Sequence, residues 1–136
     1  MTKLATETLS VVIERDVPHP PEKIWRALTQ PQLIEEWLMK SDFEPRVDHR
    51  FKFTADWGAV DCRVLTIEPN RTLTYTWEAY GLESVVTWTL TPTSTGTRLR
   101  MEQSGFRPEQ QQAYQGAKYG WQKFLGSLDQ VLARME

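Results

Sequence analysis

The sequence predicts an α+β fold: a curved antiparallel sheet with one apolar face, wrapped around a long C-terminal helix. Three observations predict it. From Pro108 to Glu136, Tyr114, Ala117, Trp121, Phe124, Leu125, Leu128, Leu132 and Met135 recur at three- and four-residue steps, which at 100° per residue puts them on one arc of roughly 120°. From Asp42 to Gln103 no helical period persists, and apolar and polar residues alternate instead, the pattern of strands that bury one face. Between the first strand and that region, two short helical segments follow one another directly. A helix over 108–136 is on the order of 40 Å long, and the one-sided sheet is the apolar surface large enough to cover it.

Taken in order, residues 1–9 carry few apolar side chains and are expected to be flexible, leaving 10–136 as a single domain. Ser10 to Val17 alternates as a strand, with Val11, Ile13 and Val17 on one side and Arg15 unexpectedly among them. Pro18-His19-Pro20-Pro21 ends it and leads into a helix with Ile24, Trp25 and Leu28 on one face. Thr29-Gln30-Pro31-Gln32 has capping-box spacing and opens a second helix bearing Leu33, Ile34, Trp37 and Leu38. Phe51 and Phe53, then Val60 to Ile67, then Leu73, Tyr75 and Trp77, then Val86, Trp88 and Leu90, then Thr97, Leu99 and Met101 mark successive strands. Turn signals at Glu68–Arg71, Ala79–Leu82 and Pro92–Gly96 separate the later ones, and such short connections force antiparallel neighbours. Pro108 suits the first turn of the final helix, and Gly116 and Gly120 within it are read as points of close backbone approach or of flexibility.

Composition narrows function mostly by exclusion. The 136 residues suit one domain. A net charge of −2 and a pI near 5.7 offer no basic surface for nucleic acid, and no Lys/Arg run marks a membrane surface. The single cysteine, Cys62, excludes an intrachain disulfide and a Cys-based zinc site. No apolar run approaches the roughly 18 residues of a spanning helix, and Met1-Thr2-Lys3-Leu4-Ala5 lacks a signal-peptide core. The expectation is a soluble, cytoplasmic protein without a nucleic-acid or membrane partner. Six tryptophans in so short a chain point to a large aromatic interior.

Several segments resemble a known family. They include Glu14-Arg15-Asp16-Val17-Pro18, Ile24-Trp25-Arg26-Ala27-Leu28-Thr29, Glu36-Trp37, Arg71 to Glu78, Ser84 to Leu90, Gly96-Thr97-Arg98-Leu99, Ser104-Gly105-Phe106 and Gly120-Trp121. Their order and spacing are similar to the C-terminal domain family of the activator of Hsp90 ATPase, within the START-like or Bet v 1-like helix-grip superfamily (SRPBCC). The resemblance spans roughly Ser10 to Arg134. It implies the helix-grip fold strongly and a function weakly, because one fold hosts unrelated tasks. One departure is Val47-Asp48-His49-Arg50, which stands where the family usually has a glycine-rich turn; Asp and His tolerate turn geometry better than most residues.

A curved sheet gripping a helix can leave its wide end unfilled. Trp37, Phe51, Phe53, Tyr75 and Trp77, with Trp88, Met101, Tyr114, Trp121 and Phe124, are the candidate walls of such a cavity, suited to a small hydrophobic or aromatic molecule. The competing reading is that these side chains fill the core. Arg15 either meets a ligand anion inside or pairs with a structural acid such as Glu36 or Glu102 near the strand end. His19 and His49 show no ligand spacing, Cys62 reads as a small buried hydrophobe, and Glu35 and Glu36 point about 100° apart on their helix and read as solvated charges. No nucleophile elbow, phosphate loop, dinucleotide fingerprint or metalloprotease motif is present, so no catalytic residue, metal or cofactor is assigned. The preferred expectation is ligand binding in the cavity. Beside it stand an interaction module of the Hsp90-activating kind and a cyclase- or hydrolase-type enzyme using the same cavity. A chaperone partner is disfavoured, since this chain is expected to lack the extra N-terminal domain with which cochaperone members make that contact; homodimerisation through a sheet edge or the outer face has no specific signal.

Overall fold

The computed structural model describes residues 8–135; most of the segment expected to be flexible, residues 1–7, lies outside the described residues. The alternating segments form one antiparallel sheet of seven strands: β1 (Leu9–Val17), β2 (Lys40–Ser41), β3 (Arg50–Ala55), β4 (Gly58–Glu68), β5 (Thr72–Ala79), β6 (Leu82–Thr93) and β7 (Gly96–Phe106). Their spatial order is β1-β7-β6-β5-β4-β3-β2. Hairpins therefore join every neighbour from β2 to β7, while β1 closes against the last strand. The helices α1 (Pro21–Thr29) and α2 (Pro31–Trp37) carry the chain from one edge of the sheet to the other. The terminal helix α3 (Gln111–Arg134) lies in the concave face, which makes the architecture the helix-grip α+β fold that the patterning predicts. Irregularities in β4 between Val64 and Thr66, and in β1 between Leu9 and Ser10, add the local bend and twist that such a wrap requires.

Register arranges the inner face in rows. One row runs Val64, Tyr75, Val86, Gln103, Val11 across β4, β5, β6, β7 and β1. The next runs Ile67, Leu73, Trp88, Met101, Ile13, and beyond it Leu90, Leu99 and Arg15 line up. Ile24, Ala27 and Leu28 of α1, Ile34 and Trp37 of α2, and Leu125, Leu128, Val131 and Leu132 of α3 are buried with these rows in one cluster. Among the described residues, no helix is long and apolar enough to cross a membrane.

Local chemistry departs from expectation at three places. Thr29 does not cap α2; its hydroxyl donates back to Trp25 O (2.7 Å), and Gln30 stands at the N-cap without a side-chain bond. Pro108 and Glu109 precede α3, because Gln110 N–H closes on Arg107 O (2.8 Å) while Gln110 Oε1 accepts from Arg107 N–H (2.9 Å), turning the chain before the helix starts. Gly116 and Gly120 are not points of close approach: a Cβ built on either meets nothing within 4 Å. The turn lacking the usual glycines holds through Asp48, which adopts φ +70°. Its N–H donates to Val64 O (2.8 Å) and its carboxylate accepts from Arg63 (2.8 Å).

Candidate functional site

The interior between sheet and helix is a chain of rings. Phe43 meets Phe51 edge-on (5.0 Å between centroids), Phe51 and Phe53 both meet Tyr75 (5.4 and 5.7 Å), and Phe53 meets Trp77 (5.3 Å). Trp121 of α3 packs on Trp77 (5.2 Å), Trp88 (5.7 Å) and Phe124 (5.5 Å), and Trp88 packs on Trp37 (5.7 Å). Most of these pairs are T-shaped or tilted, the arrangement in which the positive ring edge meets a negative face. Eight of the ten predicted wall residues thus come together. Met101 sits fully buried beside Trp88 in the register. Tyr114 lies apart, at the β1 edge, with its ring on Phe106 (5.5 Å) and its hydroxyl donating to Ser10 O (3.2 Å).

Polar tips inside this cluster are tied to one another. Trp37 Nε1–H donates to Ala27 O (2.8 Å) and Trp88 Nε1–H to Tyr75 Oη (3.0 Å). An indole N–H can only donate, so Trp121 Nε1–H (2.7 Å) turns the Gln103 oxygen toward itself. The Gln103 amide nitrogen then donates to Ser84 Oγ (3.0 Å), and Ser84 donates to Trp77 O (2.8 Å). Gln103 and Ser84 were not singled out from the sequence, yet strand parity carries the signal: each continues the inward set of its strand, Gln103 after Met101 and Ser84 before Val86. A buried donor left unpaired costs about 1–3 kcal/mol, which makes this network the part of the interior where polarity is organised.

Burial is unfinished at one end of the grip. Ala55, Trp77, Ala79 and Leu82 have inward parity on β3, β5 and β6, yet they are only partly buried, as are Ala117 and Phe124 of α3. The adjacent hairpin tips form a rim. Trp57 and Tyr80 are 55% and 79% exposed, their rings lie 6.0 Å apart, and Tyr80 Oη–H donates to Trp57 O (2.7 Å). Tyr80 adopts φ +50° beside Gly81 at +83°, an uncommon conformation for a bulky residue that the bond to Trp57 helps to hold. Gln110 Nε2–H reaches Gly81 O (3.4 Å), so the start of α3 borders the same rim.

Remaining candidates fall outside this interior. Arg15, two rows from Gln103 along β1, pairs with Asp129 of α3 rather than with Glu36 or Glu102, which pair with Arg134 and Arg100. His19 lies in the turn after β1 with Nδ1 3.2 Å from Lys23 Nζ; burial first, and that ammonium second, push its pKa below the ordinary 6.5. His49 stacks on Phe51 (6.2 Å) and turns Nε2 toward Asp42 O (3.1 Å). Burial pushes the Cys62 thiol up, with Asp61, Glu78 and Asp42 adding to the shift, and burial likewise raises the Tyr75 phenol against the opposing bond from Trp88. Both stay protonated, so neither supplies an anionic nucleophile or base. Among the described residues, no three His, Cys, Asp or Glu side chains are placed to hold a metal ion.

A curved sheet gripping a long helix around an aromatic interior defines a helix-grip domain. Residues 18–133 match the family described as activator of Hsp90 ATPase homolog 1-like protein, and the chain belongs to it. Among solved structures, the protein MLL2253 of Mesorhizobium loti is 61% identical, with 94% of this chain and 99% of that one covered and a TM-score of 0.91. CalU16 of Micromonospora echinospora is 25% identical over 94% of this chain and 78% of its own, at a TM-score of 0.82. DynU16, from the dynemicin biosynthetic locus, is 26% identical over 93% of this chain and 47% of its own, at a TM-score of 0.80. None of the curated proteins matches the chain.

Proposed function

We propose that this domain binds a small apolar or aromatic molecule at the open end of the grip, seated against Trp77 and reaching the aromatic interior between the sheet and α3. The observation that supports it most is the unfinished burial there. Trp77, Ala79 and Leu82 belong to the inward face of their strands, and Tyr75 and Ser84, further along the same faces of β5 and β6, are closed to water, yet they are not. Partly exposed apolar surface of this kind, rimmed by Trp57 and Tyr80, is a common mark of a binding site. Gly116 and Gly120 of the helix bordering it are not required by packing, since a Cβ on either would meet nothing within 4 Å. Similarity to DynU16, from a biosynthetic locus, agrees with a small-molecule role. No catalytic step is assigned, since Tyr75 and Cys62 are both held neutral.

Native mass spectrometry of the purified protein, combined with titration of the neutral dye N-phenyl-1-naphthylamine, tests the reading. Saturable dye binding that Trp77→Ala weakens is the expected result. Absence of any adduct together with unsaturable dye fluorescence sinks it and leaves the fold untouched.

A further inference from the structure

We propose that the free edge of β1 accepts an extended segment of a partner protein as an added antiparallel strand, and that this segment carries an acidic side chain that meets Lys118. The inference is independent of ligand binding at the open end of the grip. Strand order leaves two edges, β2 and β1. β2 is two residues long and offers little to pair, whereas β1 runs nine residues from Leu9 to Val17 without a proline. Edge strands are normally guarded by bulges, inward-pointing charges or a covering element. β1 has its bulge between Leu9 and Ser10 and its inward charge at Arg15, so the stretch from Val11 to Glu14 has neither. The backbone direction is fixed at both ends. Ser10 O accepts the Tyr114 hydroxyl (3.2 Å), while Val17 O lies against Gly96 at the start of β7, where a Cβ would come within 2.1 Å of it. Successive residues of a strand turn their backbone groups to opposite sides. Odd-numbered residues therefore bond β7, and Val12 and Glu14 present N–H and C=O to the edge; among the described residues no turn, loop or cap backbone bonds them.

A groove of about 330 Å³ runs along this edge. Ser10 to Ile13 line it consecutively, inward and outward residues alike, so it follows the backbone edge rather than one face of the sheet. Its far wall is Tyr114, Lys118 and Gln122 of α3. Their four-residue steps rise about 6 Å each, close to the roughly 6.8 Å between alternate residues of a strand. Every second side chain of an added strand thus falls between successive side chains of the helix. In this mode of recognition main-chain bonds give the affinity and alternate side chains the specificity. Lys118 sets that specificity: its ammonium lies 5.1 Å above the Tyr114 ring, and no carboxylate among the described residues pairs with it. Charge complementarity therefore selects an inward acid on the added strand. A second copy offering its own β1 brings none, because its inward residues are Val11, Ile13, Arg15 and Val17, while Glu14 and Asp16 stand on the outer face opposite Arg100 and Arg98.

Selection of a phage-displayed library of random dodecapeptides on the full chain tests the proposal, followed by NMR-detected amide exchange of the protein with the strongest binder. Enriched peptides are expected to alternate apolar and polar residues and to carry Asp or Glu on the apolar side. At a peptide concentration about ten times its dissociation constant, exchange at Val12 and Glu14 should slow about tenfold, while Val11 and Ile13, already in the ladder with β7, should change little. Lys118→Glu should weaken that peptide about three- to tenfold, and the same peptide with Lys in place of its acid should recover the loss, which also certifies that the variant is folded. No enrichment over the bare support, unchanged exchange at Val12 and Glu14, or indifference to Lys118→Glu overturns the proposal. So does a free protein that sediments as a dimer with those two amides already protected, for then a second copy holds the edge. Failure of N-phenyl-1-naphthylamine to bind leaves this inference standing, and failure of every peptide leaves ligand binding standing.

Discussion

From Trp121 to Arg134, α3 buries Trp121, Leu125, Leu128, Val131 and Leu132, and the ion pairs Arg15–Asp129 and Glu36–Arg134 tie it to β1 and α2. From Gln111 to Gly120 it buries no residue fully; Tyr114 and Ala117 are half-covered, Tyr119 points to water, and two of its glycines fill no steric need. One helix is thus anchored along its second half and loosely laid along its first. Trp121 stands at the boundary, with its ring on Trp77 and Trp88 and its N–H on Gln103. The difference teaches how unevenly one helix can contribute to a core: the second half supplies it, while the first half leaves its apolar side chains partly exposed, as in regions drawn from the low-stability end of a structure.

The largest expected effect lies in the anchored half. Leu128→Ala removes a fully buried side chain and should destabilise the domain by about 2–5 kcal/mol. Tyr119→Ala, in the loose half and exposed, should stay within about 0.5 kcal/mol. Urea denaturation of both variants checks the contrast. Comparable losses for the two would mean that the halves of α3 are equally important to the core.

A smaller effect sharpens the comparison by reversing its sign. Gly116→Ala and Gly120→Ala meet nothing within 4 Å, and each should stabilise by up to about 1 kcal/mol, since glycine is unfavourable in a helix interior by about that amount. A stiffer first half should then slow association of N-phenyl-1-naphthylamine in stopped-flow mixing without changing the Leu128 contrast. A rise in stability with unaltered association rates would show that these glycines have no part in ligand access.

Element types were legible because period-2 and period-3.6 patterns are imposed by burial itself. Phe51 and Phe53, Leu73 to Trp77 and the Trp121–Leu132 stripe lie where their spacing put them. Side-chain chemistry at element ends was less so. Thr29 had the spacing of a capping box but found the Trp25 carbonyl one turn back, a competing bond open to any helical threonine. Of the interior, the ring residues were readable, whereas Gln103 and Ser84 hid among exposed-looking polar residues. Only extending the inward parity of β6 and β7 to their ends would have found them. Trp57 and Tyr80 carried no pattern, since two residues at separate hairpin tips meet only through the pairing of β4 with β5. The partner of Arg15 was hidden for the same reason: Asp129 is 114 residues away in sequence.

The smallest effect concerns the clasp at the far end, where Arg15, Asp129 and His19 border one cleft. Both members of the ion pair keep solvent contact, so Asp129→Asn should cost only about 0.2–1 kcal/mol near neutral pH. Its clearer signature is in pH dependence. The folded pKa of His19 is lowered by burial and then by Lys23, with Asp129 opposing the shift. Between that lowered value and the ordinary 6.5, the unfolded chain binds more protons than the folded one, so stability rises with pH through this window and falls on acidification. Below the folded pKa both states are protonated and this group's contribution to the slope disappears. Asp129→Asn removes the one opposing charge, so the window should extend further toward acid and the loss across it should grow, while His19→Gln should flatten it. Denaturation midpoints from pH 7.5 to 5, with an NMR titration of the His19 ring, follow both. A His19 that titrates at or above 6.5 in the folded protein would reverse the sign, and the clasp would then tighten on acidification instead of loosening.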